Sequence, residues 1–226
     1  MQVSLISYPS MDADTLASMA AALCYDGKNP MRSLDTALAG GHQSVIEHAS
    51  FTFMIEGVSR ALLAQLTRHR IASFSVQSQR YVSMKDKFEY VIPPRIKALG
   101  KKEENLYRDQ METMLGWYCD WQSKLLDAGH TKEHSNEDAR FVLPNAACTR
   151  LMLTMNAREL NKFFGLRLCN VAQWEIRNMA NLMLEEVKVV APKLFEHAGP
   201  PCAYGACPEG KRSCGKPWKK EKPSNE

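Results

Sequence analysis

The sequence predicts an α+β fold that is richer in helix than in strand. Two observations carry this. Several long stretches repeat apolar residues at steps of three and four, the period of amphipathic helices, while a few short ones alternate like half-buried strands. Strand-like and helix-like stretches also fail to alternate regularly, as a doubly wound sheet would require. The chain has 226 residues, 45% hydrophobic and 24% charged. That composition suits one substantial globular domain with a core of its own.

Gln2 to Tyr8 alternates and reads as a strand. Ser10 is the expected cap of a helix running through Cys24, and Asn29-Pro30 supplies the cap and first-turn proline of a second helix, which Gly40-Gly41 stops. Ser44 and Glu47 fit a capping box on a short helical turn. Phe51, Phe53 and Ile55 alternate with Thr52, Met54 and Glu56 as a strand, and Val58 to Thr67 predicts a helix with Leu62, Leu63 and Leu66 on one face. Residues 68–83 read as loop plus strand, and Phe88 to Ile92 is apolar up to Pro93-Pro94.

A long helix follows. Tyr107, Met111, Met114, Tyr118, Trp121 and Leu125 form its stripe, read as core or subunit interface, and Gly129 ends it. Ser135 and Asp138 are expected to cap a helix that stops before Pro144. Leu151, Leu153 and Met155 alternate as a strand; Asn156 and Glu159 start the next helix, whose apolar face is Leu160, Phe163 and Phe164. The last long helix spans roughly Val171 to Glu196, with Pro192 as a kink or final turn. Residues 1–198 are thus expected to form a single domain. Residues 199–226 are dominated by Pro, Gly, Cys and Lys and are expected to form a tail.

The net charge of +4 and pI near 8.6 favour anionic ligands but fall short of a dedicated nucleic-acid domain. No signal peptide and no run of about 18 apolar residues is seen, so no membrane partner is expected. Seven scattered cysteines point to reduced thiols and a cytoplasmic location.

Gly57 to Lys85 contains no acidic residue and no lysine before Lys85. It holds Arg60, Arg68, His69, Arg70 and Arg80 among Gln65, Thr67, Ser73, Ser75, Gln77, Ser78 and Gln79. Guanidinium forks beside neutral donors suit a phosphate or nucleotide; a solvated basic face usually mixes both signs of charge and carries lysine. Arg140, Asn156, Arg158 and Arg167 make a second cluster around a strand-to-helix turn, where free backbone N–H groups favour anions. Asn156 also fits a helix cap, and Arg167 fits complementation of a helix dipole. Neither a G-x-G-x-x-G nor a P-loop motif is present, so nucleotide binding would rest on arginines and amides.

Arg68-His69-Arg70, seven further residues and Ser78, within RHRIASFSVQSQRY, resemble the signature of the flavin-dependent thymidylate synthases. GHQSVIEH (Gly41 to His48), ARFVLP (Ala139 to Pro144), NARELNKFFGLR (Asn156 to Arg167) and AQWEIR (Ala172 to Arg177) follow that family's order. The resemblance implies an antiparallel sheet flanked by helices and a homotetramer with active sites at subunit junctions. It implies conversion of dUMP to dTMP, with methylene-tetrahydrofolate as carbon donor and FAD, reduced by NADPH, as hydride source. It assigns dUMP contacts to Gln65, Arg68, Ser78, Gln79, Arg80, Arg140 and Arg167, with Ser78, Arg80 and Arg140 on the phosphate and Arg167 facing the pyrimidine. FAD contacts fall to Ser44, Arg68, His69, Arg70, Asn156 and Arg158, and His42 to the flavin near the folate and nicotinamide site. His42 also fits a structural loop histidine.

Two positions depart from the family pattern. Ser75-Val76 stands where many members carry Asn-Glu, so no polar role passes to Val76. Lys162 replaces an Asn or His near the flavin; it contacts FAD as a cation or points to solvent. Ser78 has no base at hydrogen-bonding spacing, so phosphate binding is expected of it rather than nucleophilic attack.

In the tail, Cys202, Cys207 and Cys214 are spaced C-x4-C-x6-C, with His197 nearby. Paired knuckles and a fourth ligand are missing, so free thiols are expected and no metal, with zinc the other reading. Lys216, Lys219, Lys220 and Lys222 read as a solvated terminus. The alternative to the enzyme is a nucleic-acid binder using the arginine-rich segment and a zinc-like tail. The 8% aromatic content and the lack of a reader module count against it. A cysteine-dependent thymidylate synthase would need a Pro-Cys-His setting, whereas Cys202 lies between Pro201 and Ala203.

Overall fold

The computed structural model describes residues 1–25, 27–85 and 88–218. Its elements run β1 (Gln2–Ser7), α1 (Ala13–Tyr25), α2 (Pro30–Ala39), β2 (Ser50–Ser59), α3 (Arg60–Leu66), β3 (Ser73–Val76), α4 (Pro94–Lys97), α5 (Lys101–Asp127), α6 (Lys132–Ala139), β4 (Cys148–Asn156), α7 (Ala157–Arg167) and α8 (Trp174–Val190). Short 3-10 turns lie at Gln43–Ile46, Arg140–Val142, Pro201–Ala203 and Gly210–Arg212. The strands form an antiparallel sheet in the order β1-β2-β4-β3, so the α+β class expected from the sequence is the one observed.

β2 buries Phe51, Phe53 and Ile55 on alternate positions, as its pattern requires. At Gly57 φ is 69°, a conformation costly for any residue with a Cβ, and beyond it adjacent Val58 and Ser59 are both buried. The shift of one position is what an extra residue in a strand produces. Strand therefore extends through Ser59, and the following helix starts at Arg60 rather than Val58, with the Ser59 hydroxyl accepting from Leu62 N at 3.0 Å. β4 buries Leu151, Leu153 and Met155 in the same way.

The chain separates into two compact units. The first comprises Met1–Gln2, Ile55–Gln65 and Ser75–Leu151. Its core gathers Met84, Tyr118 and Ala139, with Phe88, Leu115, Val142 and Leu143 packed against them. A buried polar network crosses this core. The Tyr118 hydroxyl accepts from Met84 N at 3.3 Å and donates to Asn136 Oδ1 at 3.2 Å, and Asn136 Nδ2 donates to Arg80 O at 2.9 Å. The segment carrying Arg80 is thereby fastened to α5 and α6. Of the expected α5 stripe, Met111 and Tyr118 are buried, while Trp121 is 50% exposed in the single chain.

The second unit comprises Val3–Met54, Leu66–Phe74 and Met152–Glu226. An aromatic chain runs through it edge to face. Phe51 meets Phe195 at 5.4 Å between centroids, Phe195 meets Phe164 at 5.9 Å, Phe164 meets Phe163 at 5.8 Å, and Phe163 meets His69 at 5.0 Å. The Thr52 and Thr154 hydroxyls share a hydrogen bond of 2.9 Å across β2 and β4.

Three expected caps are corrected. Asp12, not Ser10, caps α1, its carboxylate accepting from Thr15 N at 2.7 Å. Thr131, not Ser135, caps α6; Ser135 lies buried inside the helix and donates to Thr131 O at 2.9 Å. No capping box forms at Ser44 and Glu47, because the Glu47 carboxylate is drawn to Arg158. Asn29 and Asn156 cap α2 and α7 as expected. α8 ends at Val190, short of the expected Glu196, since Pro192 has no N–H to continue the ladder.

The chain beyond α8 is held by Asp14 of α1, 7% exposed, whose two carboxylate oxygens accept from Lys193 N at 2.9 Å and Leu194 N at 3.0 Å. Asp14→Ala strands these donors. We expect a loss on the order of 3 kcal/mol, read as a lower urea midpoint at unchanged slope.

Candidate active site

The Arg68-His69-Arg70 triplet leaves the end of α3 with its members facing alternately. Arg68 and Arg70 are exposed and His69 is buried. His69 Nε2 accepts a hydrogen bond from Arg167 Nε at 3.1 Å. An accepting Nε2 belongs to the neutral ring that carries its proton on Nδ1, and Nδ1 lies 4.0 Å from Glu159 Oε1. Burial, then the charges of Arg167 and Lys162, lowers the His69 pKa from 6.5 to about 4. The nearby Glu159 carboxylate would pull the other way, but at 4.0 Å it makes no hydrogen bond to the ring, and desolvation dominates.

Arg167, the last residue of α7, is thus oriented by a partner that does not cancel its charge. Burial, then the charge of Arg68, lowers its pKa. The second unit therefore gathers Arg68, His69, Arg167 and Lys162 around α7. Lys162 is 64% exposed and lies 3.7 Å from Glu159 Oε2.

The start of α7 meets the end of the segment from Gly41 to Ala49. Ala157 N donates to Ala49 O at 2.8 Å, and Arg158 is paired with Glu47. Asn156 Oδ1 accepts from Glu159 N at 2.9 Å, so its capping role is real. His42 and Ser44 are exposed beside this helix start. Ala157 and Glu159 are buried with their N–H groups already bonded, so it is the exposed side chains of Arg158 and of the adjoining His42 and Ser44 that can meet the phosphates of a nucleotide cofactor.

The first unit holds the other predicted group. Ser78 Oγ accepts from Arg80 N at 3.1 Å, which forms a tight turn through Gln79. Arg80 Nε lies 2.7 Å from Glu137 Oε2. Both atoms are buried, and their angle does not satisfy a hydrogen bond, so the contact is an ion pair. Arg140, at the end of α6, donates from Nε to Glu137 O at 3.1 Å. Gln65 is half-buried and its amide reaches only Ala61 O, at 3.4 Å.

Three residues have partners that sequence reasoning did not assign: it counted Arg60 within the basic segment and Glu159 at a helix start, and gave Glu137 no role. Arg60 donates through Nη2 to Gln77 O at 2.9 Å, and its buried Nε has no partner among the described residues. Burial and the charge of Arg140 lower its pKa. Two guanidiniums that sense each other while partly desolvated favour an anion between them. Its place at the junction of strand and helix was the available signal. Glu137 and Glu159 are the other two. Each is the counter-charge beside a predicted cation, three residues from Arg140 and Asn156 respectively. Ser75 and Val76 lie on β3.

Residues 4–193 match the Thy1 family, described as thymidylate synthase complementing protein, and the chain belongs to it. Relatives agree on the chemistry in their names. The flavin-dependent thymidylate synthase of Geobacter sulfurreducens is 48% identical, covering 96% of this chain and 94% of that one. That of Clostridium tetani is 45% identical over 95% and 93%, and that of Pyrococcus furiosus 39% over 92% and 89%. This similarity supports the enzyme and not the nucleic-acid alternative. Among the described residues, no helix is long and apolar enough to cross a membrane.

The lowered His69 pKa fixes a sign. Stability from the neutral buried ring is fully present above pH 6.5 and is lost as the pH falls toward about 4. That gap amounts to stability on the order of 3 kcal/mol. We expect His69→Gln, which accepts a hydrogen bond without titrating, to lose correspondingly less between these pH values in urea titrations.

Proposed function

We propose that this protein is a flavin-dependent thymidylate synthase that converts dUMP to dTMP, with methylene-tetrahydrofolate as carbon donor and FAD reduced by NADPH. The observation that carries the reading is a set of arginines, with Arg167 held by the neutral His69 ring and Arg80 by an acid that a phosphate can replace, in a chain whose relatives of nearly equal length bear that name. The residues fit a dinucleotide: exposed Arg68 and Arg70, and the α7 start with Arg158 and Asn156, offer donors to a pyrophosphate. A bound flavin supplies the hydride chemistry that protein side chains lack.

What the side chains do follows from their chemistry. Ser78, Arg80 and Arg140 bind the dUMP phosphate, with Gln65, Gln79 and Arg68 as further contacts. Phosphate draws Arg80 away from Glu137, exchanging one charge-assisted contact for another. Arg167, oriented by His69, faces the pyrimidine and stabilises negative charge developing on it. His69 thereby acts through Arg167 as a positioning residue as well as bordering the flavin. Ser44 and Lys162 line the cofactor, and His42 lies toward the folate and nicotinamide. Residues 1–198 form the catalytic part, in a cytoplasmic homotetramer where one site can draw residues from several chains. Its partners are small molecules, not nucleic acid.

Protein loaded with FAD and desalted should keep an absorbance band near about 450 nm that bleaches with NADPH. Folded protein without flavin and without bleaching would refute the reading. Arg80→Ala should weaken dUMP binding by about 1.5–3 kcal/mol and leave FAD affinity unchanged by calorimetry. Arg167→Ala should lose turnover at least tenfold while retaining flavin, measured as dTMP formed.

A further inference from the structure

The tail has no core of its own. From Pro201 to Trp218 no residue is buried, and the only regular structure there is the pair of 3-10 turns. Such a segment needs a staple to hold one shape. A few contacts nonetheless hold it, one of them between two of its own residues, Cys202 and Trp218. Asn170 Nδ2 donates to Lys216 O at 2.9 Å. Trp218 N donates to Cys202 Sγ at 3.4 Å. The Trp218 ring lies 3.0 Å from where a Cβ on Gly199 would stand.

The Asn170 contact brings up a residue that tail spacing could not reveal. A cavity of about 210 Å³ is lined by Cys169, Cys202, Cys207 and Cys214. Cys169 comes from the turn between α7 and α8, some thirty residues before the others, and supplies the fourth cysteine that the spacing lacked. Gly210 and Gly215 have φ of 52° and 68°, shaping the turns that follow Cys207 and Cys214. All four are free of disulfides.

An amide aimed at sulfur, as Trp218 N is at Cys202, is the outer-shell contact that supports metal-bound thiolates. A single zinc ion requires sulfurs about 2.3 Å from one centre. Among the described residues, no three His, Cys, Asp or Glu side chains converge in that way. The cysteines border a cavity rather than a point, the arrangement suited to a multi-atom centre with one thiolate on each iron.

We propose that Cys169, Cys202, Cys207 and Cys214 ligate an iron–sulfur cluster that fastens the tail to the turn between α7 and α8. Binding deprotonates the four thiols, and Cys214 gives up its present hydrogen bond to Lys216 O, 3.3 Å long.

The test uses the full chain purified without oxygen and, in parallel, treated with ferrous iron and sulfide. Flavin absorbs in the visible range, so iron, zinc and acid-labile sulfide are measured chemically, with electron paramagnetic resonance after dithionite. Equal iron and sulfide are expected, about four of each per chain for a cubane cluster. Cys169→Ser and Cys214→Ser should each lower both at least tenfold, while Cys24→Ser keeps them. Cys214 is exposed, so its variant reports even where Cys169→Ser fails to fold. Absence of iron after reconstitution, iron indifferent to these substitutions, or one zinc per chain on the same cysteines would each overturn the proposal.

Discussion

The second unit depends on a neutral acceptor beneath a cation. Arg167 is partly desolvated and lies near another arginine, so its charge needs a fixed partner. A carboxylate would orient it and also cancel the field it can exert on a ligand. The buried His69 ring orients it without that cancellation, because desolvation keeps the imidazole uncharged. The ring is in turn fixed by Phe163, the end of an aromatic chain reaching back to β2 through Phe164, Phe195 and Phe51. Core packing and cation orientation are therefore one structure in this unit.

The first unit solves the same problem differently. Arg80 rests on Glu137, an acid that a phosphate can replace as partner. The backbone of Arg80 is held independently, by Asn136 and the Tyr118 network. The side chain can exchange partners while its segment stays in place. Arg60, partly desolvated and destabilised by the charge of Arg140, adds a standing preference for an anion. The second unit therefore holds a permanent charge on a neutral partner, and the first holds in Arg80 an exchangeable charge on an acid.

The turn after α7 connects this logic to the tail. Arg167 ends the helix and Cys169 follows two residues later, with Asn170 bound to the tail at Lys216. A centre fastening Cys169 would steady the residues that terminate α7. Without one, a segment with no buried residue between Pro201 and Trp218 would rely on a few hydrogen bonds.

Much of this was determined by local chemistry and so was legible in the sequence. Alternation in Phe51, Phe53 and Ile55, the caps Asn29 and Asn156, and Gly40-Gly41 are short-range signals, and each produced the expected element. The same holds for the family, since motif blocks are linear strings. Caps failed where a tertiary partner outbid the local one, as when Arg158 claimed Glu47, or where a neighbouring oxygen, Asp12 or Thr131, was better placed. Lys219, Lys220 and Lys222 lie outside the described residues. Only the tertiary structure decided that His69 is buried and neutral, that Glu137 occupies Arg80, and that Cys169 joins the tail cysteines. Desolvation, counter-charge and ligand number are set by residues distant in the chain, and spacing carries no record of them.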